Sequence, residues 1–242
     1  EQRKRALIAT TYNEANADFS AGKFNDAATK LEKVIGMITD PNEQQMLAPI
    51  YFTLGAAYFN APNYPKAVET FKTYLQKYPA SDRVMEVRLS LAQSLLLNKS
   101  YKEATELYEQ LEKIPAYRDK AIAAQVQIYK EQDKKDLMVK MMEKLGSGEI
   151  KSFIQARGAL QLSVYYSELD KPDDALRVLN KVVSKPEFID NLIPVNGTAI
   201  KLADAFAEKR RFEEAIRTYR WVKPRSEVIR YSKERISFFE RR

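Results

Sequence analysis

The sequence predicts an all-α protein, built as an array of about six antiparallel helix pairs followed by a C-terminal capping helix. Three observations support this fold class. One pattern of apolar residues returns five times at helical spacing, a small residue stands at a fixed distance before each copy, and short polar turns separate the two helices of a pair. With 242 residues, 45% apolar and 30% charged, the chain has the composition of a folded protein.

The second helix of each pair is predicted by the repeated pattern itself. Each copy has a large residue (a proline in one copy), an alanine three positions later, and large residues at offsets seven and ten. These offsets trace one face of a helix with 3.6 residues per turn. In the second copy the four residues are Tyr64, Ala67, Phe71 and Tyr74. The alanines of the five copies are Ala27, Ala67, Ala104, Ala175 and Ala215.

The first helix of each pair is predicted by a small residue twelve positions before each of these alanines. The five small residues are Ala15, Gly55, Ala92, Ser163 and Ala203. Small residues on facing positions let two helices approach closely, so we expect each pair to be tightly packed. A proline follows most pairs, and proline disfavours continuation of a helix because it lacks a backbone donor.

The spacing of the repeats predicts a sixth pair in the middle of the chain. The interval from Ala104 to Ala175 is about twice the others, and we expect a degenerate pair there, with Leu137 and Met141 in packing positions. We treat residues 1–242 as a single domain with a hinge at 145–150. The predicted units are 6–41, 46–80, 82–117, 118–147, 152–187 and 192–225, with the capping helix at 226–242.

The repeated residues resemble the tetratricopeptide repeat (TPR), a helix–turn–helix unit of about 34 residues. The second unit carries the resemblance best, through Leu54, Gly55, Tyr58, Phe71 and Pro79. The resemblance implies a right-handed α-α superhelix, a TPR solenoid, in which the first helices line the concave side. It also implies a protein-protein interaction scaffold without catalysis of its own.

A second resemblance concerns the run from Phe71 to Ser81. It is similar to repeats of bacterial envelope proteins of the outer-membrane assembly lipoprotein and Tol-Pal-associated types. The alternative function it implies is a structural or assembly component of the envelope, in a periplasmic or outer-membrane-associated location, with the cytoplasm as the other option. Any membrane attachment would use an anchor missing from this chain. Because the chain begins with Glu1, we expect a processed protein or a fragment.

The composition removes most catalytic chemistry. The chain has no cysteine and no histidine, which excludes thiolate nucleophiles, imidazole bases and the usual zinc sites. The adjacent acidic residues Asp173 and Asp174 point about 100° apart on a helix, so they do not converge on one substrate. We therefore predict no enzyme, no cofactor, no metal and no small-molecule substrate.

The candidate binding site is the concave face of the first helices. Its predicted residues are Phe52, Phe59, Leu89, Gln93, Leu96 and Tyr129. The helices that carry the first five are apolar nearly all round, and such helices are covered on more than one side. Two interpretations stay open: the face is core between neighbouring units, or it is a groove for a segment of a protein or peptide partner.

The charge of the chain is concentrated at its C-terminal end. The net charge is +7, and residues 208–242 hold twelve basic and six acidic residues. A solvated capping helix explains this end, and the alternative is binding of a nucleic acid or another anionic surface. The sequence does not identify the partner, the compartment or the oligomeric state.

Overall fold

The computed structural model describes residues 2–146, 148–188, 195–221 and 226–241, and all regular elements within them are helices. The predicted all-α fold class is confirmed. The α-helices are α1 Gln2–Ser20, α2 Phe24–Met37, α3 Leu47–Asn60, α4 Tyr64–Lys77, α5 Val84–Leu97, α6 Tyr101–Glu112, α7 Pro115–Glu131, α8 Lys135–Gly146, α9 Phe153–Glu168, α10 Pro172–Val183, α11 Val195–Glu208, α12 Phe212–Tyr219 and α13 Ser226–Glu240. Short 3₁₀ helices cover Pro41–Met46 and Pro186–Phe188.

Parts of the predicted boundaries lie outside the described residues. These parts are Ser147 in the predicted hinge, residues 192–194 and 222–225 at the ends of the last unit, and Arg242 at the end of the capping helix. The division into six units and the hinge stay predictions.

The repeated sequence pattern defines the second helices. Its first large residue is the first residue of α2, α4, α6, α10 and α12. The five repeated alanines have no exposed surface, which is the burial expected of residues that let a neighbouring helix approach. The aromatic residues that follow them are also buried, among them Phe71, Tyr74 and Tyr108.

The turns inside the helix pairs other than α3–α4 repeat one conformation. The backbone enters the left-handed region at Gly22, Lys99, Asp133, Asp170 and Arg210, with φ between 53° and 76°. The next amide donates back to a carbonyl five residues earlier, as Ser100 does to Leu95 and Lys171 to Tyr166. This hydrogen bond is the Schellman arrangement that ends a helix and reverses the chain within three residues.

The structure consists of two compact units, and each is described by itself. Unit 1 covers Glu1–Leu111 and unit 2 covers Glu112–Arg242. In unit 1, α1 packs on α2, α2 on α3, α3 on α4, and α4 on α5. In unit 2, α7 packs on α8, α8 on α9, α9 on α10 and α11, α11 on α12, and α12 on α13. This pattern of contacts between neighbours is the packing of a repeat array.

The degenerate pair in the middle of the chain is α7 and α8, and the sequence prediction for its packing is partly wrong. Leu137 is exposed, whereas Met138, Met141 and Met142 are buried. Because α8 begins at Lys135 without the usual large residue, its buried face starts at Met138. At the end of α8, a Cβ at Gly146 would lie 2.9 Å from the Cα of Ala159, so glycine permits close contact with α9.

Polar contacts join successive helix pairs at equivalent positions. The hydroxyl of Tyr58 on α3 donates to the carboxylate of Glu32 on α2. In unit 2, Tyr166 on α9 donates to Glu143 on α8 over 2.6 Å. Burial, together with the neighbouring carboxylate, raises the pKa of Tyr166 to about 12, so the hydroxyl keeps the proton that it donates.

Candidate functional site

Helices α3 and α5 of unit 1 carry five of the six predicted site residues, and the two helices are in contact. Helix α3 has no charged residue. Its core side includes Ile50, Leu54 and Tyr58, which are buried. The core side of α5 includes Val87 and Leu91. The opposite sides of both helices hold the candidate residues.

The candidate residues differ in exposure. Phe52, Phe59 and Leu89 are half-buried, and Gln93 is exposed. Leu96 is only 7% exposed, so it belongs largely to the core of unit 1. Next to it, Leu97 is exposed and extends the row that begins at Leu89 and Gln93.

The sixth candidate, Tyr129, lies on α7 in unit 2. It is 9% exposed, and its neighbours Ile122 and Val126 on the same helix are also buried. Helix α7 packs against α8 and α9, which accounts for this burial. Tyr129 is therefore described with unit 2 alone, apart from the five candidates on α3 and α5.

Two contacts hold the aromatic side chains of α3 in place. The guanidinium of Arg83, just before α5, lies over the ring of Phe52 at 4.6 Å from its centroid. The ring of Phe59 packs against the edge of Tyr64, the first residue of α4, with centroids 5.9 Å apart. A cation over an aromatic face is a favourable electrostatic contact, so Phe52 is held without being fully buried.

Helix α1 carries the equivalent repeat positions. Tyr12, Asn16 and Phe19 stand one 40-residue interval before Phe52, Ala56 and Phe59, and all three are half-buried. Phe19 packs edge-on against Phe24 with centroids 5.2 Å apart. Sequence reasoning left Tyr12 and Phe19 out of the candidate site, although the repeat interval would have located them.

We call the residues that α1, α3 and α5 contribute to this side the unit 1 face. Its members are Tyr12, Asn16, Phe19, Phe52, Ala56, Phe59, Leu89, Gln93 and Leu97. None carries a formal charge. The rings and aliphatic side chains can pack against apolar groups, and the amides of Asn16 and Gln93 can donate and accept hydrogen bonds.

Within the described residues, there is no group of three or more acidic side chains positioned to hold a metal ion. The same part of the chain contains no helix with the length and hydropathy required to cross a membrane.

A solved structure of a tetratricopeptide repeat protein from Parabacteroides merdae ATCC 43184 is similar over nearly the whole chain. The TM-score is 0.52 at 14% sequence identity, with 96% of this chain and 84% of that chain covered. The chain has the tetratricopeptide-repeat fold. The resemblance predicted from Gly55, Tyr58 and Phe71 is thereby confirmed at the level of fold.

Two other TPR-fold matches have comparable scores. The MamA RS-1 ArsTM double mutant gives a TM-score of 0.55 at 16% identity, over 75% of this chain and 95% of that chain. A chain of Naa15/Naa10 bound to HypK-THB gives 0.51 at 14% identity, over 99% of this chain and 35% of that chain.

Comparison by sequence gives a match over a smaller part of the chain than comparison by structure does. The model of the soluble NSF attachment protein family, SNAP, matches residues 2–118, just under half of the chain. This match covers α1 to α6 and the first residues of α7 of the TPR fold. No curated protein sequence matches the chain. The similarity to bacterial envelope proteins stays a prediction from the run 71–81.

Proposed function

We propose that the chain is a non-catalytic scaffold that binds an apolar segment of a partner protein along the unit 1 face. The observation that carries this proposal is an uncharged row of half-buried side chains, Phe52, Phe59 and Leu89, beside the exposed amide of Gln93. Contiguous apolar surface with polar groups among it is typical of a protein interaction site.

The arrangement of the unit 1 face suits a peptide more than a small molecule. Phe52 on α3 and Leu89 on α5 occupy the same helical position and are both half-buried, so they can contact successive side chains of one segment. Partly exposed aromatic rings already fixed by contacts, as Phe52 is by Arg83, lose little freedom on binding. The TPR fold supports this function, and the similar Naa15/Naa10 structure has HypK-THB bound.

The test combines charge insertion with affinity capture. The variant Phe59→Asp, Leu89→Asp places two carboxylates on the unit 1 face at half-buried positions, which spares the core residue Leu96. Leu7→Asp, Met46→Asp is the matched control, because both residues are exposed apolar side chains of unit 1 outside this face. Both variants and the wild type are incubated with soluble and membrane fractions of the source organism.

We expect proteins held by the wild type and by the control to be lost with the Phe59→Asp, Leu89→Asp variant. Circular dichroism should show equal helix content for all three proteins. If the same proteins are captured by all three, the unit 1 face is not the binding site.

The envelope location and an anionic partner for residues 208–242 stay predictions from the sequence. Fractionation of the native full-length protein tests the first, with membrane recovery as the expected result. Salt-dependent binding to single-stranded DNA tests the second, because counterion release makes such binding fall steeply with salt.

A further inference from the structure

Unit 2 has a second surface feature, an open cleft of about 340 Å³ between α8, α9 and α10. Its apolar floor includes Leu162 and Val178. Four cations and one carboxylate are the charged groups that line it. They are Lys140, Lys144, Arg177, Lys181 and Glu143. We call this feature the basic cleft.

The four cations occupy a regular pattern. Lys140 and Lys144 lie one turn apart on α8, and Arg177 and Lys181 lie one turn apart on α10. The two pairs are in the same register, since each residue of α10 follows its counterpart on α8 by one repeat interval. Side chains four residues apart share a face of a helix, so the four cations form two parallel rows beside the cleft.

The equivalent positions of unit 1 lack this charge pattern. They hold Thr29 and Lys33 on α2, Glu69 and Thr73 on α4, and Glu106 and Gln110 on α6. The repeat fold therefore does not require cations at these positions. The charge of the basic cleft is therefore a feature of unit 2 and not of the repeat itself.

Contacts within unit 2 neutralise part of the charge. Lys144 forms an ion pair of 2.7 Å with Glu112, and Arg177 forms one of 2.9 Å with Asp174. The carboxylate of Glu143 accepts the hydroxyl of Tyr166 over 2.6 Å. These contacts fix the positions of the lining groups. Lys181 also interacts with another group of the chain. With Glu112 and Asp174 counted, four cations face three carboxylates at the cleft, and the side chain of Lys140 is exposed there.

We propose that the basic cleft binds an acidic segment of a partner protein, with carboxylates beside Lys140 and Lys181 and an aliphatic side chain against the floor. Charge complementarity selects the acidic groups. Leu162 and Val178 are each only 2% exposed, so an aliphatic side chain would pack mainly on the apolar stems of the lysines and Arg177 around them. This site is separate from the unit 1 face, and its proposal does not depend on the function proposed for that face.

The lining favours a peptide over a nucleic acid. Single-stranded nucleic acids bind where exposed aromatic rings stack on bases. The only ring in this lining is that of Tyr166, which is buried, with its hydroxyl bonded to Glu143. A volume of about 340 Å³ also lies at the lower end of ligand pockets, which fits one or two side chains of a docked segment.

The experiment measures binding of a fluorescent peptide to the full chain by anisotropy. The probe is a peptide of about twelve residues that alternates Glu and Leu pairs, compared with polyglutamate and a single-stranded DNA of equal length. The test variant is Lys140→Glu, Lys181→Glu. The control variant, Lys33→Glu, Lys102→Glu, reverses two exposed lysines of unit 1 and has the same net charge.

We expect the test variant to weaken binding of the Glu-Leu peptide at least about tenfold, while the control stays within about twofold of the wild type. Lys140→Gln, Lys181→Gln should give an intermediate loss, because it removes attraction without adding repulsion. Circular dichroism checks that the folds are equal. A photoreactive group in the peptide should label segments of α8 and α10.

Four results would overturn the proposal. The first is an equal loss in the test and control variants, which shows that the net charge alone drives binding. The second is photolabelling confined to unit 1. The third is preference for the DNA over the Glu-Leu peptide at equal salt, with the same lysines required, which assigns the basic cleft to nucleic acid. The fourth is absence of Glu-Leu peptide binding to the wild type at low salt.

Discussion

Gly55 lies where α3 meets the ring of Phe71 on α4. A Cβ added there would lie 2.5 Å from a ring carbon of Phe71, and that ring is buried. We expect Gly55→Ala to destabilise the protein by about 1 to 3 kcal/mol, because the ring or a helix must move to make room. Urea unfolding followed by circular dichroism measures the change.

Gly36 provides the matched control, since it lies in a helix of the same unit with no atom within 4 Å of an added Cβ. Gly36→Ala should raise the free energy of unfolding by up to about 1 kcal/mol, because alanine restricts the unfolded chain and favours helix. If both substitutions change the free energy of unfolding in the same direction, the close contact of Gly55 with Phe71 is not what makes glycine necessary.

Glu112 is the residue from which we expect pH-dependent stability. Burial raises the pKa of its carboxyl. Hydrogen bonds from Lys144 at 2.7 Å and Gln125 at 3.1 Å lower the pKa by a larger amount, so the net pKa lies below the ordinary 4.5. A lowered pKa stabilises the folded state above pH 4.5, and this contribution is lost as the pH falls through the lowered value.

Glu112→Gln should therefore flatten the fall in unfolding free energy as the pH decreases below the ordinary carboxyl pKa of 4.5. Glu109→Gln, at an exposed position of the same helix, makes the same change in net charge and is the control. Chemical unfolding at several pH values gives both slopes. An unchanged slope in Glu112→Gln would contradict the pKa shift.

At the scale of the element, the buried ring of Phe239 packs α13 on α12. Phe239 is 6% exposed and stacks on Phe212 and Tyr219, with centroids 5.2 and 6.3 Å apart. Phe239→Ala should cost about 3 to 5 kcal/mol in the stability of this end of unit 2, because it leaves a cavity. Phe238→Ala is the control, since Phe238 is 42% exposed and its loss should cost much less.

Hydrogen exchange distinguishes the two outcomes for α13. In Phe239→Ala the amides of α12 and α13 should exchange faster, about tenfold for each 1.4 kcal/mol lost. In Phe238→Ala they should stay near the wild-type rates. Equal effects of the two substitutions would mean that α13 is not held by the buried ring, and the predicted capping role would lose its support.

The sequence predicted the elements better than the surface. Repeat residues such as Ala67 and Phe71 were predictable because helical periodicity directly encodes the side on which a helix packs. The exposure of the candidate site residues was not predictable, because exposure depends on how neighbouring helices pack. Phe59 and Leu96 share a repeat position, yet Phe59 is half-buried and Leu96 is core. The contact of Arg83 with Phe52 also joins two helices, and no local pattern predicts it.

At the scale of the whole molecule, a repeat array should unfold in parts. Each helix packs chiefly on its neighbours, so stability is a sum of local contributions and nearest-neighbour contacts. Gly55 and its partner Phe71 belong to unit 1, whereas Phe239 and its partners belong to unit 2. A destabilising substitution should thus act mainly within its own unit.

Hydrogen exchange of the whole chain tests this prediction with the variants Gly55→Ala and Phe239→Ala. Gly55→Ala should speed exchange in α3 and α4 and leave the core amides of α9 and α10 unchanged. Phe239→Ala should do the reverse, speeding exchange in α12 and α13 and sparing α3 and α4. If either variant raised exchange evenly in both units, unfolding would be one cooperative event, and the local model of stability would be wrong for this chain.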